Sequence, residues 1–301
     1  MPNPSTPIEF SELKRQLRDG LDSQESRAFW WPALPSIATT TKVIDSVPDT
    51  IGIAERLKEI LKEPLLDHSA PVNKGDNVAE QTVRKVSYVL INQNKLNEVE
   101  VSYFISLLRL IVWQVNRVDV SYYLATEIIA NPDRYYRPGP SSAFAMFHSF
   151  REILKRFMPH TFSALRTIGA LDDKYLSMMF VDYFVELIPS HILLPLLDAY
   201  LLEGVKVLFR YALSLIVGYK AAIKSGEFST AKEFWLAIKS DSFAVTSFNG
   251  GSVIMKALAF DEVLPTVDQF VVFEHAKNQD YLNSNELKLT AFDSERSMFQ
   301  K

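Results

Sequence analysis

The sequence has 301 residues, a formal net charge of −4 and no cysteine, and 48% of its residues are hydrophobic. Without cysteine the chain forms no disulfide, no cysteine-ligated zinc site and no thiol nucleophile. The acidic balance supplies no general basic field for nucleic acid. The first ten residues, MPNPSTPIEF, lack both parts of a signal peptide, and charges interrupt the most apolar region, 188–219. We therefore predict a cytoplasmic protein with a large core and no nucleic-acid partner.

An all-α fold is predicted from helical periodicity and from the low number of glycines, 10 in the whole chain. The early part contains FSELKRQLRDGL, with Ser11 placed as an N-cap and Gly20 at the helix end. Helices are predicted, in chain order, over 11–20, 22–32, 49–63, 79–92, 99–115, 143–157, 162–168, 174–187, 192–202, 205–224, 230–239, 251–259 and 266–275.

The strongest break in the chain is ANPDRYYRPGPSS, which holds three prolines and a glycine. We place a boundary between two helical lobes there, near 131–142. The predicted organisation is a flexible tail over 1–9, a helical domain over 10–225, and C-terminal helices over 226–301 that complete the second lobe.

Motifs of common active sites are missing from the sequence. No two histidines are spaced for an HExxH zinc site, and neither a GxxxxGK[ST] loop nor a GxSxG elbow occurs. Asp172 and Asp173 are interpreted as the cap of a helix that starts at Lys174, rather than as metal ligands. We predict no catalytic residue, no metal and no cofactor.

One apolar segment carries an unexpected line of charges. In DAYLLEGVKVLFRYALSLI, residues 198–216, Glu203, Lys206 and Arg210 are spaced i, i+3 and i+7. This spacing places them in a single stripe of a helix.

The same segment resembles the TBC domain of Rab GTPase-activating proteins, whose pattern is roughly D-x-x-L-x-E-G-x-K-x-L-F-R-x-A-L. An opening signature, R-x-x-x-W, is similar to Arg27 and Trp31, and MFVDYFVELIP stands where the family has W-F-x-x-x-F-x-x-x-L-P. The resemblance covers about 10–224 and implies two helical lobes that meet at a groove. The matching positions are Asp198, Leu201, Glu203, Gly204, Lys206, Leu208, Phe209, Arg210, Ala212 and Leu213.

Active TBC domains supply an arginine from I-x-x-D-x-x-R and a glutamine from Y-x-Q to the reaction of the GTPase. The chain lacks both motifs: the nearest arginines are Arg56 and Arg84, Val99 aligns with the glutamine, and Gln93 is six residues away. The resemblance therefore implies a domain without the two catalytic fingers. A working activator with displaced fingers remains the alternative.

Because it lacks both fingers, the chain resembles the Skywalker-type branch of the family, in which a degenerate TBC domain is joined to a TLDc domain. The resemblance implies a phosphoinositide site formed by Arg27, Lys206 and Arg210. Lys14, Arg15 and Arg18 would form a basic rim. It further implies peripheral binding to vesicle or plasma membranes, a Rab-type GTPase partner, and a TLDc domain in a longer parent chain.

Two other interpretations stay open at this point. The charges can form structural ion pairs, Glu203 with Arg210 or Asp198 with Arg27, which would make the chain a helical adaptor. Trp30 and Trp31 are predicted to be core residues rather than a membrane-inserting wedge.

Overall fold

The structure is a computed structural model that describes residues 8–9, 17, 20–37, 43–44 and 78–243. The chain divides into two compact units. Unit 1 consists of Met1–Gly139 and Leu194–Val205, and unit 2 of Pro140–Leu193 and Lys206–Lys301. The first junction falls inside the predicted break, 131–142, but the return of 194–205 to unit 1 has no signal in the sequence.

Unit 1 is built mainly on the helix α4 (Glu98–Val115). Two helices that precede it in the chain, α1 (Gln24–Trp30) and α3 (Val78–Asn92), and one that follows it, α5 (Val118–Ala130), pack against it. Its elements are β1 (Ile8–Glu9), α1 (Gln24–Trp30), α2 (Leu34–Ile37), β2 (Val43–Ile44), α3 (Val78–Asn92), α4 (Glu98–Val115), α5 (Val118–Ala130) and α6 (Pro132–Tyr135).

Unit 2 is built around the helix α7 (Pro140–Phe157), against which α8 (Pro159–Thr167) and α9 (Asp173–Phe180) pack. A cluster of buried rings forms its centre: Phe180 lies 5.3 Å from Phe150 and 4.9 Å from Phe209 between ring centroids. Its elements are α7 (Pro140–Phe157), α8 (Pro159–Thr167), α9 (Asp173–Phe180), α11 (Lys206–Gly218), α12 (Lys220–Ser225) and α13 (Ala231–Phe243). Helix α10 (Ser190–Glu203) belongs to both units.

The prediction of an all-α fold is confirmed. In the described part of the chain, the one exception is a two-residue antiparallel ladder in which Ile8 pairs with Ile44 and Glu9 with Val43. Ile8 and Glu9 thus lie in a strand at the end of the predicted tail, 1–9. None of the described helices has the length and apolarity to cross a membrane.

The bounds of α4 follow from local sequence. Asn97 and Glu100 form a capping box, in which each side chain accepts a hydrogen bond from the other residue's backbone N–H. At the other end Asn116 adopts a left-handed conformation with φ +51°. Both signals are visible in the sequence, and the prediction of 99–115 is close to the observed helix.

Helix α5 is missing from the predicted elements. Nine of its residues are buried, among them Ser121 and Thr126, so apolar and polar residues face the core together. A helix buried on most sides has no clear polar face, and periodicity does not reveal it.

Two helices of unit 2 end earlier than predicted, and one predicted cap lacks its hydrogen bond. The helix predicted over 174–187 ends at Phe180, because Tyr183 and Phe184 have positive φ angles of +50° and +62°. The helix predicted over 205–224 is two helices, separated at Tyr219. Asp172 occupies the N-cap of α9, but its side chain makes no capping hydrogen bond. The helices predicted over 49–63, 251–259 and 266–275 lie outside the described residues.

Candidate functional site

Arg27 pairs with Asp198 inside unit 1. The guanidinium donates from Nε to Asp198 Oδ1 at 3.1 Å and from Nη2 to Oδ2 at 3.0 Å. Asp198 is fully buried and Arg27 is only 6% exposed. The arrangement is a buried bidentate ion pair, one of the two structural pairings that the sequence left open.

Two further donors complete the surroundings of the Asp198 carboxylate. Trp31 Nε1 donates to Oδ1 at 2.7 Å, and the backbone N–H of Leu21 donates to Oδ2 at 2.8 Å. Each oxygen therefore accepts two hydrogen bonds. Burial raises the pKa of the Asp198 carboxyl, and the donors from Arg27, Leu21 and Trp31 oppose that rise.

Trp30 and Trp31 are core residues, as predicted. They are 4% and 1% exposed. Because the indole N–H of Trp31 binds Asp198, the R-x-x-x-W signature provides two of the groups that neutralise one carboxylate. Both residues of the signature thus have a structural reason to be present.

The glycine of the E-G pair allows a close approach of two chain segments. Gly204 has φ +82°, and a Cβ atom there would lie 2.5 Å from the backbone oxygen of Arg134. The same oxygen accepts a hydrogen bond from the N–H of Val205 at 2.9 Å. Only glycine fits this turn without moving the backbone around Arg134.

Arg134 is a partly buried cation that the sequence gave no reason to select. Its guanidinium lies 5.5 Å from the ring centroid of Tyr135. Burial lowers the pKa of Arg134, and Tyr135, Glu203 and Tyr200 act in the opposite direction. The carboxylate of Glu203 therefore stabilises the charge of Arg134 in unit 1. In the sequence Arg134 is only one arginine of the break at 131–142, and no local pattern there indicates that it becomes partly buried.

Lys206 and Arg210 lie in unit 2, at the beginning of α11. Lys206 is the first residue of the helix and is half-buried, whereas Arg210 is 2% exposed. The first turn of α11 contains no acidic residue. The predicted stripe is thus divided: Glu203 ends α10 in unit 1, and the two cations begin α11 in unit 2.

The residues nearest to the finger positions lie on α3 and α4. Arg84 is exposed on α3, and Val99 is 50% exposed in the first turn of α4. Gln93 follows α3, and its side-chain oxygen accepts a hydrogen bond from the hydroxyl of Tyr122. Arg56 and the predicted basic rim, Lys14, Arg15 and Arg18, lie outside the described residues.

Among the residues with described side chains, no three histidine or acidic side chains are placed to hold a metal ion.

The family model of the Rab-GTPase-TBC domain matches residues 69–224. The chain belongs to this family. The matched range includes the D-x-x-L-x-E-G-x-K-x-L-F-R segment and begins after Arg27 and Trp31. The resemblance to TBC domains on which the sequence analysis depended is therefore confirmed.

Among characterised proteins, the chain is similar to growth hormone-regulated TBC protein 1 of Xenopus laevis, with 30% identity over 107 residues. The alignment covers 35% of this chain and 31% of that protein, so it spans about a third of the relative's length.

Solved structures of TBC domains share the fold at low sequence identity. The TBC domain of Skywalker/TBC1D24 from Drosophila melanogaster gives a TM-score of 0.59 at 14% identity, with 89% of this chain and 95% of that chain covered. The same domain in complex with inositol(1,4,5)triphosphate gives a TM-score of 0.54 at 15% identity, with 83% of this chain and 90% of that chain covered. The flagellar RabGAP TBC domain of Chlamydomonas gives a TM-score of 0.52 at 16% identity, with 84% of this chain and 85% of that chain covered.

The TBC motif glycine provides a test of the turn at Arg134. We expect Gly204→Ala to destabilise unit 1 by about 3 kcal/mol or more, because it combines left-handed strain with an overlap on backbone. Gly226→Ala is the matched control, since Gly226 has φ +76° but open space around its Cβ position. It should cost about 1 kcal/mol. Urea denaturation measures both, and equal losses would show that the approach to Arg134 does not matter.

The buried pair provides a second test. Asp198→Ala leaves the largely buried Arg27 guanidinium without its partner, and we expect a loss of about 3–5 kcal/mol. Adding Arg27→Met should recover part of that stability, since no buried charge then remains. The control is Arg109→Ala, which breaks a pair with Glu80 whose side chains are 52% and 34% exposed. It should cost less than about 1 kcal/mol. A small effect of Asp198→Ala in thermal denaturation would contradict a structural role for the pair.

Proposed function

We propose that this chain is a largely non-catalytic TBC module of membrane traffic, which binds phosphoinositide headgroups and a Rab-type GTPase. The observation that carries the proposal is the pair of cations at the N-terminal end of α11. Lys206 is the first residue of α11, where the helix N-terminus attracts anions, and Arg210 follows about one turn later on the same helix. A multiply charged anion would stabilise both side chains and the helix end.

The headgroup would be a multiply phosphorylated inositol. Lys206 offers a mobile ammonium and Arg210 a planar guanidinium, two geometries suited to phosphate. The complex of the Skywalker/TBC1D24 domain with inositol(1,4,5)triphosphate supports this ligand class. Recruitment by such lipids would place the protein at the surface of vesicle or plasma membranes.

Arg27 is the third residue of the proposed headgroup site, and it also has a structural role. Its Nε and Nη2 groups donate to Asp198. A guanidinium has five N–H donors, so the Nη1 group remains for a phosphate oxygen. We expect the contribution of Arg27 to be smaller than that of Lys206 or Arg210, because its side chain is 7% exposed.

The residues nearest to the finger positions support the proposal of weak catalysis. An aliphatic side chain stands at Val99, and the amide oxygen of Gln93 is held by Tyr122. Neither group is arranged to orient an attacking water. The GTPase would therefore be bound more than activated.

We expect purified protein to stimulate Rab GTP hydrolysis by much less than the roughly 10³–10⁵-fold that an arginine finger provides. Single-turnover hydrolysis across a panel of Rab proteins measures this, with an active TBC domain as the positive control. Arg84→Ala and Gln93→Ala should leave any residual rate unchanged. Strong stimulation that either variant abolishes would instead support an activator with displaced fingers.

Lipid binding is tested with vesicles that contain phosphatidylinositol bisphosphate or, at equal surface charge, phosphatidylserine. We expect Lys206→Gln and Arg210→Lys each to weaken binding to the first kind about tenfold, since each removes or reshapes one charge-assisted contact. The double variant Lys220→Ala, Lys224→Ala is the control, because both lysines are exposed on α12. It should bind as wild type.

Three outcomes separate the interpretations. Loss of binding with unchanged circular dichroism and melting temperature supports a headgroup site. Equal weakening by the control double variant would indicate a diffuse charge effect. A folded Lys206→Gln variant that binds normally would refute the site, and unfolding of Arg210→Lys alone would assign Arg210 to structural pairing.

A further inference from the structure

Unit 2 contains a pocket of about 570 Å³ that none of the proposed headgroup residues lines. Pockets of about 300–1,000 Å³ are the usual size of ligand sites in proteins. Helices α7 and α8 and the turn before α9 form its walls. Phe144, Phe162 and Leu171 provide the apolar part of the lining.

One cation of the pocket is fixed by the protein itself. Arg151 donates from Nε and Nη2 to the backbone oxygen of Leu171 at 2.9 and 2.7 Å. Nη2 also donates to the carboxylate of Asp173. These bonds hold the turn against α7 and neutralise both charges, so Arg151 and Asp173 form a rigid edge.

Arg166 differs from Arg151. It is exposed in the last turn of α8 and lines the pocket, and its side chain has no partner among the described residues. Lys155 lines the pocket from α7, and its Nζ atom lies 3.9 Å from Glu152 Oε1. The two side chains are 60% and 45% exposed. An exposed pair of this kind is weak and easily exchanged for a ligand.

The charges of the lining select the class of ligand. Arg151, Lys155 and Arg166 are balanced by Glu152, Asp172 and Asp173, so the formal charge is zero with His148 neutral. A pocket without net positive charge is a poor site for a polyphosphate. Mixed charges beside an apolar wall suit a peptide, in which acidic and apolar side chains alternate with backbone polar groups.

We propose that this pocket, referred to as the α7–α8 pocket, binds a short peptide segment of a partner protein that carries an acidic residue beside an aromatic or aliphatic one. The acidic side chain would contact Arg166 and Lys155. The apolar side chain would pack on Phe162 and Leu171. The pocket would give the module a protein partner in addition to the proposed GTPase.

The test begins with a display library of random peptides selected on the full chain. We expect enrichment of sequences in which Asp or Glu neighbours an apolar residue. The enriched peptide is then labelled, and its affinity is measured by fluorescence anisotropy. Arg166→Ala should weaken binding about tenfold or more, the effect of losing one charge-assisted contact. Arg166→Lys should restore part of it.

Matched control variants are available at the end of α7, outside the pocket lining. Arg156→Ala removes an equal charge from α7, where the guanidinium lies 5.8 Å from the ring of Phe157 and outside the pocket lining. For the apolar contact, Phe157→Ala is the control for Phe162→Ala, because Phe162 lines the pocket and Phe157 does not. Both controls should bind the peptide as wild type.

The proposal fails if selection enriches no acidic–apolar sequence, or if Arg166→Ala and Arg156→Ala have the same affinity. It also fails if phosphoinositide vesicles, rather than peptides, are the ligand that Arg166→Ala loses. Lys206→Gln should retain peptide binding, so a failure of the headgroup proposal and a failure of the peptide proposal are distinguishable.

Discussion

The buried carboxylate of Asp198 is the constraint on which the arrangement of unit 1 depends. It accepts hydrogen bonds from Leu21, Arg27 and Trp31, residues 167 to 177 positions away in sequence. Removing a charge pair from water costs nearly as much as the pair gains, so its effect on net stability is small. We infer that the pair acts on specificity, because a packing of α1 that buried Asp198 away from Arg27 would leave an uncompensated charge.

The TBC motif serves two structural purposes along one continuous stretch. Its first half, Asp198 to Gly204, belongs to unit 1, where Asp198 fixes α1 and Gly204 allows the backbone of Arg134 to approach. Its second half begins α11 in unit 2, where Arg210 is a charged residue in a buried helix face. The line of charges in the sequence is thus carried by two helices: Glu203 ends α10 and raises the pKa of Arg134 in unit 1, and Lys206 and Arg210 belong to α11 in unit 2.

Unit 2 shows how similar residues obtain different roles from their surroundings. Arg151 and Arg166 both line the α7–α8 pocket, yet three hydrogen bonds hold the first and no described residue holds the second. A fixed cation shapes a wall, and an unpartnered cation is available to a ligand.

The sequence by itself determined the helical class, the bounds of helices such as α4 and the TBC family, because caps, periodicity and motifs are properties of neighbouring residues. It also proposed Asp198 as a partner of Arg27 without being able to choose that pairing over an open site. Only the tertiary structure shows that Arg27 and Asp198 do pair, and it alone placed Arg134 at Gly204 and Tyr122 at Gln93. It also ended α9 at Phe180 and buried α5 on most sides. These features depend on contacts between residues far apart in the chain, and no local pattern specifies which distant group will arrive.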